Sequence, residues 1–270
     1  MNLLRCLRKD IKEYVRTGKL FIFAGTLLGL SILVVFTTWC VPLLRILMQN
    51  ASDEIVLAVG YMEQIINELV PMDVQNNVGF WAADVGLFYT VVIAIVCSTI
   101  LPGEIKCGKW IMPQNCGYKP WHFILSKCIV YGVGTAVSET LVQCLYYVGI
   151  RTVLVDNYSF SDCFIGAVLF GSLCGCVTVL TMLTSLCGKY TAVSCAGVMF
   201  CVIVLPDVFL AFDVCEWLPT YLFIFAYNSQ TDYSSVVIPW ILLVALLFVT
   251  YFVALWRVKS RKYMNNMVRN

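Results

Sequence analysis

The chain has 270 residues, of which 60% are hydrophobic and 13% charged, with a mean hydropathy of +0.85 and a net charge of +2. A soluble domain carries about 25% charged residues, so a chain with half that charge has too little polar surface to cover its own core. The composition excludes a free cytoplasmic enzyme, a disordered regulator and a conventional nucleic-acid binder, and leaves an all-α integral membrane protein.

In chain order, the first element is an arm over residues 1–19. Leu3, Leu7, Ile11 and Tyr14 recur at helical spacing while Arg5, Arg8, Lys12 and Arg16 lie on another face. This predicts a basic amphipathic helix on the inner leaflet, in contact with membrane lipid, or else a solvated helix end. A bilayer core about 30 Å thick needs roughly 20 apolar residues as helix. Six stretches qualify: Leu20–Val41, Phe80–Leu101, Cys128–Ile150, Cys163–Cys187, Thr191–Phe212 and Val236–Trp256. They occupy half the chain, so residues 1–270 read as a single transmembrane domain. The first follows basic residues as a signal peptide does, but it is too long and lacks a small-residue cleavage site, so it is expected to stay as an anchor. The loop Pro42–Gly79 shows helical periodicity at Ile55, Val59, Met62, Ile66 and Leu69. Pro206-Asp207 is expected to kink or end the fifth span. Trp217–Tyr227 is apolar but too short to cross, which suits a re-entrant or interfacial element before the last span.

Of the eighteen Lys and Arg, all but Arg45 and Arg151 fall on one side of these spans. The positive-inside bias predicts that both termini are cytoplasmic. Most of the fourteen cysteines sit within apolar runs, where they read as small buried hydrophobes. Cys40, Cys163 and Cys215 are the three on the oxidising side, where a Cys163–Cys215 disulfide is the weaker reading against free thiols.

Catalytic chemistry is sparse. The single histidine, His122, cannot build a two-histidine zinc site or an intramembrane Ser–His pair. Gly103–Trp110 matches a phosphate-binding loop until its last position, where Trp110 stands in place of the Ser or Thr that holds magnesium. The chain is therefore expected not to be an enzyme and not to hydrolyse ATP itself. One polar stripe crosses the third span: Thr135, Glu139 and Gln143. It lines a substrate path or a protein seam, or it forms a buried interhelical hydrogen-bond network. Gly25-x3-Gly29 and Ala167-x3-Gly171-x3-Gly175 are small-residue faces suited to close helix approach, within one subunit or between two.

Between the second and third spans the chain reads Gly103-Glu104-Ile105-Lys106-Cys107-Gly108-Lys109-Trp110-Ile111-Met112-Pro113, with Tyr118, Phe123 and Ser126-Lys127 beyond. A Glu, a Gly four residues on, a Pro and then a Lys in this loop resemble the ABC type-2 exporter permeases. So do six spans, a basic arm before the first and a short element before the last. Lys109 departs from the Thr usual in the family, and Gln114-Asn115 from the Ser-Arg that often follows the Pro. The resemblance implies two six-span permease subunits, as a homodimer or related heterodimer, each docked to a separate cytoplasmic ATP-binding-cassette ATPase. ATP and magnesium would bind that partner, and no cofactor this chain. Glu104, Lys106, Gly108, Lys109, Trp110, Met112 and Pro113 would form the ATPase-coupling loop. Of these, Glu104, Lys106 and Lys109 offer charges, and Trp110 and Met112 an apolar anchor for a partner; Trp110 suits equally a membrane-boundary anchor.

The expected function is export of an amphipathic or hydrophobic substrate (a peptide, a drug or a lipid-linked molecule) across a cell membrane, with a bacterial plasma membrane as the expected site. The alternatives are a passive channel or carrier and a membrane-embedded immunity protein that binds a toxin.

Overall fold

Helix boundaries follow local capping chemistry rather than the ends of the apolar runs. In a computed structural model, which describes residues 2–49, 73–111, 119–154, 158–188, 191–210, 218–219, 221–227 and 233–259, every regular element is helical. The arm forms α1 (Asn2–Arg16). Gly18, at φ +73°, then turns the chain through a left-handed conformation into α2 (Lys19–Gln49). Asp73 caps the next helix by accepting from the Asn76 amide at 2.7 Å. Helix α3 (Val74–Lys106) thus begins well before the apolar run at Phe80. Likewise α4 (Pro120–Arg151) starts at a proline, where a missing amide hydrogen costs nothing, eight residues before Cys128. Ser159 accepts from the Asp162 amide and opens α5 (Phe160–Cys187).

Helix α6 covers residues 191–210 and contains a π turn at Phe200–Val204. Pro206 lies just beyond that turn and does not end the helix. The ring of Pro206 would crowd the carbonyl of Val202 in a regular helix, and Val202 sits inside the widened turn. The short element before the last span is α7 (Tyr221–Tyr227), with Leu222, Phe223 and Phe225 buried. Helix α8 (Val237–Lys259) follows.

Among the described residues five helices are long and apolar enough to cross a membrane: Lys19–Val41, Val74–Lys106, Pro120–Arg151, Phe160–Cys187 and Ser234–Lys259. The expected fifth span differs. Its apolar stretch, Thr191–Val204, is shorter, roughly 20 Å of helix at 1.5 Å per residue. Large apolar side chains remain exposed along α2 and α8, including Phe21, Phe36, Trp39, Phe248, Phe252 and Trp256. Such a surface belongs in hydrocarbon, and the protein is membrane-embedded.

The centre is the antiparallel pair α4 and α5. A Cβ on Gly171 would lie 2.6 Å from the Ala136 carbonyl oxygen, and one on Gly175 2.7 Å from that of Gly132. Only glycine allows the two backbones this close. By contrast nothing lies within 4 Å of a Cβ built on Gly25 or Gly29, so that small-residue face packs on nothing among the described residues. Cys163 is buried, while Cys215 and the periodic loop at 50–72 lie outside the described residues.

Candidate functional site

The early start of α4 carries Lys127 two turns into a packed helix, where it is 1% exposed. A buried ammonium is tolerated only with close opposite charge. Three carboxylates from two other elements supply it. The Nζ of Lys127 lies 2.8 Å from Glu104 Oε1 on α3, 2.9 Å from Glu13 Oε2 and 3.1 Å from Asp10 Oδ1, both on α1. Ser126 donates its hydroxyl to the second oxygen of Asp10. Lys109 closes the outer side, 3.1 Å from Glu13 Oε1.

Local sequence explains how the 104–110 segment reaches this cluster. Gly108 adopts φ +67°, and its amide returns to the Ile105 carbonyl while that of Lys109 returns to Glu104. This left-handed stop after α3 folds the chain back on itself. Trp110 is thereby turned inward, where it stacks on Phe123 of α4 with centroids 5.4 Å apart. Its indole Nε1 donates to Glu104 Oε2 at 3.1 Å. The two oxygens of Glu104 are thus divided between Lys127 and Trp110.

A second layer lies beneath. Lys19 donates to the Tyr131 hydroxyl at 3.0 Å, and Tyr14 meets the Tyr131 ring edge-on at 4.9 Å. Tyr14 also presses on α4 where a Cβ on Gly134 would come within 2.9 Å of its ring. The arm is therefore seated on the bundle through Cys6, Asp10 and Tyr14, one face of α1, with Leu3 and Leu7 half-buried and Ile11 exposed.

The carboxylates of the arm respond in opposite directions. Burial pushes Glu13 up, but hydrogen bonds and charge from Lys127 and Lys109 outweigh it and hold the carboxyl down at about 2. For Asp10 burial wins over Lys127 and Ser126, and the carboxyl sits above its ordinary value.

Of the residues expected to couple to an ATPase, Glu104 and Trp110 are buried within the chain, and Gly108 forms the turn. Lys106 is exposed, and Lys109 remains half-exposed while bonded to Glu13. Met112 and Pro113 lie outside the described residues. Ile111 takes the outward position instead, at 48% exposure. Asp10 and Glu13 are functional candidates that sequence reasoning missed, and Lys127, quoted there only with the loop motif, was given neither its burial nor its partners. Asp10 and Glu13 are the acidic pair of an otherwise basic arm, three apart and on the Cys6–Tyr14 side, which was the available signal.

The polar stripe of α4 faces α5. Thr135 Oγ1 meets Thr178 Oγ1 at 2.9 Å. Glu139 is fully buried against Gly171, and neither of its carboxyl oxygens, nor Gln143 Oε1, has a hydrogen-bond partner among the described residues. On another face of α4 an apolar cavity of about 470 Å³ opens toward α2, lined by Ile32, Val35, Phe36, Leu145 and Gly149. Trp81 and Tyr146 stack near its inner edge at 5.3 Å, and the Trp81 indole donates to Ser31 Oγ.

No protein-family model, curated protein or solved structure matches this chain. The chemistry of the site therefore rests on its own residues.

Proposed function

We propose that the chain is the membrane-spanning permease subunit of an ATP-driven exporter, with the five long helices and the whole of α6, 191–210, as six crossings, cytoplasmic termini and a separate ATP-binding-cassette ATPase beneath each of two permease subunits. What carries the reading is the union of α1, the 104–110 segment and α4 around Lys127. A coupling element has to be stiff and continuous with the helices it moves. Here the last turn of α3 is ion-paired to α4 through Glu104, the turn that follows it stacks Trp110 on Phe123 of α4, and α1 is ion-paired to the same ammonium. Force applied at the exposed Lys106 and Ile111 is delivered to three helices at once.

Trp110 and Glu104 then act inside the lever rather than at the partner. The partner contact falls to Lys106, Lys109 and Ile111, together with Met112 and Pro113 beyond. The apolar cavity between α2 and α4 supports an amphipathic or hydrophobic substrate entering sideways from lipid, since few polar groups line it.

The test is ATP turnover by the purified complex in nanodiscs across amphipathic peptides, drugs and lipid-linked sugars. An exporter shows turnover that rises with one substrate class. A channel or carrier purifies without an ATPase and shows none.

A further inference from the structure

The outer side of α1 remains unexplained by coupling. Around the helix, beyond the face seated on α4, comes an exposed apolar stripe of Leu4, Ile11 and Val15, at 73%, 53% and 47% exposure. Next to it runs a basic stripe of Arg5, Arg8, Lys12 and Arg16. These four cations have no ion-pair or hydrogen-bond partner among the described residues. The basic stripe, Lys9 and the Gly108-Lys109 turn line an open groove of about 1070 Å³, in which Glu13 is the one carboxylate among the described lining residues. Lys109 contributes its ammonium to the far wall, bonded to Glu13.

From this geometry we infer a binding site for an anionic phospholipid, its phosphate headgroup held in the groove between α1 and the 108–109 turn. The choice of occupant follows from the pairing of stripes. An acidic protein surface would satisfy the cations and leave Leu4, Ile11 and Val15 in water. A phospholipid satisfies both, because its phosphate stands directly above hydrocarbon. The site is preformed, since Lys127 and Tyr14 lock the inner face of α1 to α4 before any lipid arrives. The inference requires a membrane-embedded chain and nothing of the transport reading.

The experiment is native mass spectrometry of the full chain released from nanodiscs of phosphatidylglycerol in phosphatidylcholine. The wild type keeps bound phosphatidylglycerol in preference to phosphatidylcholine. Each cation near an anionic surface is worth about fivefold in binding, so the R8Q/K12Q/R16Q variant keeps at least roughly tenfold less. L4S/I11S also loses lipid, whereas K106Q, outside the groove, does not. The substituted side chains are exposed, and an unchanged melting temperature verifies the fold. If the triple variant does not fold, R8Q and R16Q singly are expected to lose about fivefold each. Retention of lipid by these variants overturns the site, as does complete displacement by inorganic phosphate or by a polyglutamate peptide.

Discussion

The Nζ of Lys127 lies 2.8 Å from Oε1 of Glu104, joining the second turn of α4 to the last turn of α3 at a point closed to solvent. Removing one partner of a buried ion pair typically costs 3–5 kcal/mol, because the other is left charged and unpaired. Lys127→Met takes from Asp10 and Glu104 their close ammonium and leaves Glu13 only Lys109, and its melting temperature in detergent is expected to fall by the equivalent of about 3 kcal/mol. Glu104→Gln keeps the Trp110 acceptor and leaves Lys127 two carboxylates, so it costs less. Equal stability of Lys127→Met and wild type would mean that the cluster holds nothing together.

Acid acts on the two carboxylates of the arm with opposite signs. The Glu13 carboxyl is held at about 2 against an ordinary value of 4.5, so its stabilisation is complete above 4.5 and is lost as pH falls toward 2. Asp10 runs the other way: its raised value means that the charged form costs stability at neutral pH and that protonation relieves it. Glu13→Gln is therefore destabilising at pH 7, and its difference from wild type closes between pH 4.5 and 2. Asp10→Asn is neutral or stabilising at pH 7. Hydrogen exchange of the α1 amides reads both, and a Glu13→Gln difference that grows on acidification contradicts the assignment.

How much of this was legible beforehand varies with the element. The runs within α2, α3, α4, α5 and α8 are apolar for long enough that five spanning helices follow from hydropathy alone. Their true ends do not, because α3 and α4 continue past the apolar run into capped or proline-started turns at Asp73 and Pro120. That extension is also why the cluster was hidden. Lys127 read as a boundary charge one residue outside a span, and counting it for orientation passed over the partners that it needs once buried. Trp110 was legible as an anchor, but its direction depends on the left-handed turn at Gly108. In the same way, a stripe at Thr135, Glu139 and Gln143 is visible as helical spacing, whereas its facing α5 is a property of the Gly171 and Gly175 contacts.

The two glycine faces should separate cleanly. Gly171→Ala and Gly175→Ala drive a methyl into the backbone of α4 and are expected to cost several kcal/mol or prevent folding. Gly25→Ala meets nothing within 4 Å and gains up to about 1 kcal/mol in helix propensity. Thermal denaturation of the purified variants ranks them. Destabilisation by Gly25→Ala that grows with protein concentration would assign that face to a subunit interface instead.

Glu139 offers a contrast with Lys127. Its carboxyl oxygens have no hydrogen-bond partner among the described residues, so replacing it with an apolar side chain of similar size removes a desolvation cost rather than a bond. Glu139→Leu is expected to match or exceed wild-type stability, measured by thermal shift. If it also abolishes substrate-stimulated ATP turnover, the carboxyl serves transport; a clear loss of stability would show that the seam depends on it.

The permease reading stands most directly on one ratio: the amount of ATP-binding subunit that co-purifies per chain in mild detergent. Lys106 and Ile111 are exposed at the tip of the lever, and Lys106→Glu with Ile111→Asp changes charge there without touching the Lys127 cluster. The account predicts that the wild type retains a stoichiometric ATPase and that this double variant loses most of it while keeping its melting temperature. An ATPase retained in full by the double variant, or none bound to the wild type, would contradict it.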